Sequence, residues 1–171
     1  MIKTGLWSCI IFMALPVFCA EKQGHAAWGV NVQQISPGVY TAGVLNPDKT
    51  GEMASSGIDA VINLRYPKES KYNEGPYIEN AGIKYVSFPV GGGVPSPDTV
   101  QRFSSIVDSF ADQKLVVHCA SGNRVGIIWA AHLLDQGMPL DSALDQVKTV
   151  TTRKTSVAAI REYARKYHSG Q

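Results

Sequence analysis

Three cysteines in 171 residues, at positions 9, 19 and 119, are too few to staple a small scaffold with disulfides. Charge is sparse too: Asp, Glu, Lys and Arg make up 18% of the chain, the net charge is +2 and the pI is about 8.4. With no long basic block, nucleic acid is not the expected partner. The basic residues that do cluster, Arg153-Lys154 and Arg161 to Lys166, read as solvated helical faces. No His/Cys/Asp/Glu spacing suggests a metal, and neither a dinucleotide fingerprint nor a Walker loop is present, so no metal and no cofactor is expected. Internal repeats and low-complexity stretches are absent, and no apolar run is long enough to span a bilayer comfortably.

The longest apolar run is at the start. Lys3 supplies a positive end, Leu6 to Phe18 is apolar apart from Ser8, and Cys19-Ala20 are small residues ahead of Glu21-Lys22-Gln23. This is the anatomy of a secretory signal peptide over residues 1–20, with cleavage after Ala20 or near Gly24-His25-Ala26. Export predicts a periplasmic or secreted protein with no membrane attachment once the leader is removed. It also takes away Cys9 and Cys19 and leaves Cys119 without an internal disulfide partner. Residues 21–171, with a hydrophobic content of 44% for the whole chain, suit one globular domain.

Strand and helix signals alternate along that domain. Val39 to Gly43 reads as a short strand, and Asn46-Pro47-Asp48 opens a helix that Gly57 ends. Ala60 to Leu64 is an apolar strand of the buried type. A loop over residues 66–76 leads to a short helix ended by Gly82, then to a strand from Ile83 to Val90. After Gly91-Gly92-Gly93, Ser96-Pro97-Asp98 starts a helix with Val100, Phe103, Val107 and Phe110 on one face. Leu115 to His118 is a further strand, followed by a helix from near Val125 to Leu134, closed by Gly137, and by two helices near 139–150 and 155–168. The order predicts a layered α/β domain, a central mostly parallel sheet flanked by helices.

One segment carries readable chemistry: His118-Cys119-Ala120-Ser121-Gly122-Asn123-Arg124, between a strand and a helix. A strand that stops at a cysteine, turns through a glycine and enters a helix aims backbone N–H groups and a helix N-terminus at one spot, which binds anions and stabilises a thiolate. Arg124 adds a forked cation suited to an oxyanion. Cys119 is the candidate nucleophile, and Ala120, Ser121, Gly122, Asn123 and Arg124 are the candidate anion-binding positions. The side chains of Ser121 and Asn123 can equally tighten the turn. The reading requires a sulfur open to solvent and loop N–H bonds directed at it.

The chain resembles the cysteine-dependent phosphatase superfamily on its dual-specificity side, from Val39 to about Tyr167. The resemblance rests on Val39-Tyr40-Thr41-Ala42-Gly43, Val61-Ile62-Asn63-Leu64-Arg65, Phe88-Pro89-Val90, and Val117-His118-Cys119 followed by Gly122. Within it, the chain is most similar to the bacterial phosphatase-like domain that accompanies β-lactamase-hydrolase-like proteins. The resemblance implies a dual-specificity-phosphatase-like fold, Cys119 as catalytic nucleophile, loop amides from Ala120 to Arg124 on the oxyanion, and His118 as organiser of the loop.

Two departures shape the expected chemistry. The phosphatase signature keeps one residue more between cysteine and arginine, then a hydroxyl residue that helps the thiolate leave. Here Val125 stands at the arginine position and Gly126 at the hydroxyl position, and the shorter loop resembles that of rhodanese-type sulfurtransferases. The family's aspartate acid, expected just after the Phe88-Pro89-Val90 strand, is replaced by three glycines; Asp98, the nearest acid, is the remaining candidate general acid, although it reads better as a helix-start group. An absent acid typically costs about 10²–10⁴-fold. The sequence therefore favours sulfane-sulfur transfer through a Cys119 persulfide, with thiosulfate or a persulfide as the small anionic substrate. The alternatives are a phosphatase working through phosphocysteine on a phosphoester, and an inactive anion-binding module.

Overall fold

A computed structural model describes residues 26–168. The leader expected over residues 1–20, with Cys9 and Cys19, lies outside the described residues. Five strands form one sheet in the order β1-β2-β5-β3-β4: β1 Gln33–Ser36, β2 Val39–Ala42, β3 Ala60–Asn63, β4 Lys84–Ser87 and β5 Leu115–His118. Only β1 and β2 pair antiparallel; the other three pairings are parallel, as expected for a mostly parallel sheet.

The two central strands β3 and β5 are buried at every residue, which explains their continuous apolar sequence. Helices α1 (Thr50–Ser55) and α2 (Gly75–Asn80) accompany a smaller core on one face, containing Trp28, Met53, Val61, Ile78 and Val116. Helices α3 (Pro97–Asp108), α4 (Asn123–Asp135), α5 (Leu140–Val147) and α6 (Lys154–Tyr167) accompany the larger core around Ile62, Phe103, Val117, Ile128 and Ile160. Each such fully buried side chain contributes about 1.5–3 kcal/mol relative to exposure.

The caps expected from sequence form. Asn46 accepts from the Asp48 N–H at 3.0 Å, although the helix it starts is a 3-10 turn over Pro47–Lys49 that only then runs into α1. Ser96 accepts from the Thr99 N–H at 3.2 Å and opens α3. Strand β1 lies ahead of Val39 to Gly43, the first strand expected from sequence. Its polar residues are held by pairing with β2 and by Gln146, whose amide donates to the Ile35 carbonyl at 2.8 Å. Ahead of β1, Trp28 is buried and Val30 is exposed.

Candidate active site

Strand β5 delivers the cysteine to the carboxyl ends of the parallel strands, where open α/β sheets place ligands. His118 lies in register with Ala42 of β2 and Asn63 of β3, so the residue before Cys119 is clamped between two strands. The Cys119 N–H continues the sheet, donating to the Ala42 carbonyl at 3.3 Å. The chain then turns over at Gly122, whose φ of +89° is open to glycine at little cost, and enters α4 at Asn123, two residues before the expected start. The turn points the Gly122 N–H at the Cys119 sulfur, 3.1 Å away. The amides of Asn123, Arg124 and Val125 precede the first i→i−4 bond of α4 and have no partner within the helix.

The sulfur is deep in this cradle: Cys119 is 1% exposed. The N–H direction required by the sequence reading is therefore present, whereas an open thiol is not.

His118 and Glu74 are both buried, with the His118 Nε2 2.6 Å from the Glu74 Oε1. Nδ1 of His118 lies 3.2 Å from the Gly43 carbonyl, so each ring nitrogen faces an oxygen. Gly43 in turn bridges to Ser121 in the loop. The Tyr85 hydroxyl donates to Glu74 at 3.3 Å and accepts from the Asn63 amide at 2.9 Å, and burial, chiefly, pushes its pKa up to about 12. Arg65, also buried, faces Glu74 across 4.0 Å and donates to the Glu69 carbonyl. His118 is thus bound to the loop through Gly43 and to the sheet edge through Glu74.

Arg124 is held by its tip. Its Nη1 donates to Glu69 Oε2 at 2.8 Å and its Nη2 to Glu69 Oε1 at 3.0 Å, with Nη1 also near the carbonyls of Leu64 and Val90. Burial opposes the charge on Arg124, but the hydrogen bonds and charge of Glu69 contribute to outweighing it, and the guanidinium is raised above its ordinary pKa. Conversely, the hydrogen bond from Arg124 holds the Glu69 carboxyl below the usual carboxylate range, with help from the Tyr66 N–H. An end-on carboxylate pair leaves the side edge, Nε–H and one Nη2–H, for a second bidentate acceptor. Nε makes no hydrogen bond among the described residues, so Glu69 orients the fork and leaves that edge for an oxyanion.

The remaining loop candidates divide. Ala120 is exposed and Ser121 half-buried at the rim, whereas Asn123 is buried and committed elsewhere. The Asn123 Oδ1 accepts from the Arg153 N–H at 2.9 Å, and its Nδ2 lies 3.4 Å from both Ser121 Oγ and Thr152 Oγ1. Its side chain bolts the loop to the connection between α5 and α6. Val125, at the arginine position of the phosphatase signature, is buried in the larger core. Asp98 stands exposed in the first turn of α3, where a carboxylate complements the helix start.

Two cavities flank the Pro67–Glu69 turn. One of about 390 Å³ runs beside Arg124, Tyr66, Gly91, Gly93, Ser96 and Ile127. A larger one of about 480 Å³ lies behind the turn, around Arg65, Lys71, Tyr85 and Glu74. The smaller one fits the chemistry better, because Arg124 lines it. Glu69, Glu74 and the connection at 150–153 are the parts that the loop sequence did not point to.

Residues 38–138 match the family model described as a polymorphic toxin system DSP-PTPase phosphatase. Among solved structures, the chain is similar to a DUF442 phosphatase-described protein from Shewanella putrefaciens CN-32, at 26% identity and a TM-score of 0.66, covering 81% of this chain and 92% of that one. It shares its fold with Tk-PTP in the active form (20% identity, TM-score 0.68, covering 81% and 96%). The same holds for TpbA of P. aeruginosa in complex with phosphotyrosine (16% identity, TM-score 0.65, covering 82% and 90%). No curated protein sequence matches the chain.

Proposed function

The chain belongs to the DSP-PTPase phosphatases of the polymorphic toxin type, and on that footing we propose that it cleaves phosphomonoesters through a Cys119 phosphocysteine. The observation that carries this reading is the Cys119 sulfur held under a backbone donor, the Gly122 N–H at 3.1 Å, at the start of the helix that carries Arg124. The thiolate attacks phosphorus, the ester oxygen leaves with its electron pair, and the equatorial oxygens gather onto the free edge of Arg124 and the first amides of α4. Water then attacks phosphorus, the S–P bond breaks onto sulfur, and the proton of that water leaves on phosphate.

The leaving group is where this site is demanding. No carboxylate lines the cavity beside Arg124 among the described residues, and Gly92 faces the Arg124 side chain. Substrates whose oxygen leaves as a stable anion, aryl phosphates above all, suit such a site; alkyl phosphates do not. The same observation, with Arg124 one residue nearer Cys119 than in the phosphatase signature, supports a second reading. Sulfane sulfur passes from thiosulfate to Cys119, sulfite departs without a proton, and a thiol then takes the sulfur. For either reaction the substrate is a small anion, and the leader over residues 1–20 would deliver the enzyme to an exported compartment.

Turnover of p-nitrophenyl phosphate by the purified protein, abolished in Cys119→Ser, is the expected result. No turnover, together with one sulfur added to Cys119 by mass spectrometry after thiosulfate exposure, would replace the first reading with the second. Fractionation of expressing cells checks the compartment.

A further inference from the structure

The larger cavity, of about 480 Å³, plays no part in either reading of the Cys119 site. Asn63 and Ser87 are paired at the ends of β3 and β4, and both line it. With Tyr85, two residues earlier, they share the face of the sheet that packs on the smaller core, whereas α4 and Arg124 belong to the opposite face. Arg65 and Glu74 complete the wall, and Lys71 lines it from an exposed position. Such a volume lies within the roughly 300–1,000 Å³ of small-molecule sites, but this wall is mainly polar.

The wall contains an ion pair that does not close. Arg65 is 7% and Glu74 3% exposed, yet Arg65 Nη1 stands 4.0 Å from Glu74 Oε2, too far for a hydrogen bond. That Nη1, the Arg65 Nε and the Glu74 Oε2 have no hydrogen-bond partner among the described residues. Glu74 Oε1, by contrast, is taken by His118 and Tyr85, so the carboxylate cannot turn toward Arg65 without giving them up. The Tyr85 ring is pinned as well, since a Cβ on Gly75 would come within 3.0 Å of it. Buried charges left half-paired are unfavourable, and each calls for a partner. A hydroxyl can accept from the guanidinium and donate to Oε2 at once.

We propose that this cavity is a second ligand site, for a small polyhydroxylated carboxylate of the sugar-acid class. The negative charge of such a ligand answers the surplus of cations, Arg65 and Lys71 against the single carboxylate of Glu74. Its hydroxyls find donors and acceptors in Asn63, Tyr85 and Ser87. The site stands apart from the Cys119 cradle: the Pro67–Glu69 turn divides the two cavities, and Arg124 lines the other one and not this one. It does not depend on which group Cys119 transfers.

The test is calorimetric titration of the full chain with gluconate, against glucose and acetate as probes that lack the charge and the hydroxyls respectively. Gluconate should bind about tenfold more tightly than either. Arg65→Gln should abolish that binding. Should this buried variant not fold, two exposed positions decide: Lys71→Gln should weaken binding about fivefold, and Ser87→Leu, which fills the cavity from its edge, should abolish it. Arg124→Ala should leave it unchanged. A folded chain that takes gluconate no better than glucose and acetate would overturn the site, the cavity then holding water alone. Binding that survives both Lys71→Gln and Ser87→Leu, or that Arg124→Ala removes, would overturn it equally. Turnover of p-nitrophenyl phosphate by the same samples decides the Cys119 chemistry separately, so the two readings fail independently.

Discussion

Arg124 stands between two walls of different construction. On one side the segment from His118 to Asn123 is tied at nearly every residue: Cys119 to Ala42, His118 to Gly43 and Glu74, Asn123 to Thr152 and Arg153. On the other side Gly91, Gly92 and Gly93 are exposed, and a Cβ added to any of them would clash with nothing. The first wall fixes where charge is received. The second imposes no chemistry on what leaves. A site so divided is rigid about the anion and permissive about the rest of the substrate, which fits catalysis by electrostatic positioning more than by proton transfer.

The largest effect should come from breaking the rigid wall at its least visible member. Glu74→Ala strands His118 beside a carbonyl and leaves Arg65 without its acid. Breaking a buried pair in this way costs about 3–5 kcal/mol. Urea denaturation should show that loss, with Cys119 activity falling in the fraction that stays folded. A change below about 1 kcal/mol, the scale of a surface ion pair, would mean that His118 is held by Gly43 alone.

The contrast between the walls also explains what could be read in advance. The anion loop, strand β3, strand β5 and the caps at Asn46 and Ser96 are local matters of apolar runs, glycine and capping residues, and they stand where the sequence places them. What escaped is long-range. Glu74 meets His118 across 44 positions, and Glu69 meets Arg124 across 55. Nothing local distinguishes Glu69 and Glu74 from other loop acids. Strand β1 escaped because its polar residues become strand only through β2 and Gln146. The family comparison, in turn, weighs toward phosphate chemistry where loop length alone weighs toward sulfur, because loop length reports one distance and the fold reports the whole cradle.

A milder break moves to the seam between the walls. Glu69 orients Arg124 through two hydrogen bonds, and it is partly open to solvent, so Glu69→Ala should leave the melting temperature nearly unchanged. The free guanidinium then wanders, and kcat/KM for p-nitrophenyl phosphate should fall about tenfold, equivalent to about 1.4 kcal/mol of transition-state stabilisation. A rise in kcat/KM would show that Glu69 competes with substrate instead of orienting its receptor. The pH dependence has a definite sign. Because the folded Glu69 carboxyl lies below its ordinary value of 4.5, the clamp is intact above that value and is lost only as pH falls through the lower one. Activity should not drop on this account between pH 7 and 5.

The permissive wall can be sharpened by giving it what it lacks. Gly92 lies 4.0 Å from the Arg124 side chain when a Cβ is added, in otherwise open space. Gly92→Asp places a carboxyl near the leaving oxygen. It should raise hydrolysis of an alkyl phosphate severalfold, a fraction of the roughly 10²–10⁴ typical of a well-placed acid, and leave p-nitrophenyl phosphate unchanged. Equal changes on both substrates would indicate a charge effect on Arg124 and not proton donation.

The smallest effect concerns how the permissive wall is anchored. Helix α3, which begins where that wall ends, is tied to α4 by His132. Its Nδ1 lies 2.7 Å from Ser104 Oγ, and Gln136 meets its Nε2 at 3.2 Å. The Ser104 hydroxyl donates to the Val100 carbonyl at 2.9 Å, so Nδ1 carries the proton, Nε2 accepts from Gln136, and the ring is neutral. Burial lowers its pKa from 6.5, only partly opposed by the charges of Asp108 and Asp135, with Phe103 and Trp129 packed around the ring. A base with a depressed folded pKa favours folding above its unfolded value. Below 6.5 the unfolded chain binds more protons, so stability declines as pH falls until the folded pKa is passed. The urea midpoint should therefore decrease between pH 7.5 and 5.5, and His132→Gln should show a smaller decrease over the same interval. An equal decrease in both proteins would assign the acid sensitivity to other groups and leave α3 held to α4 by apolar packing alone.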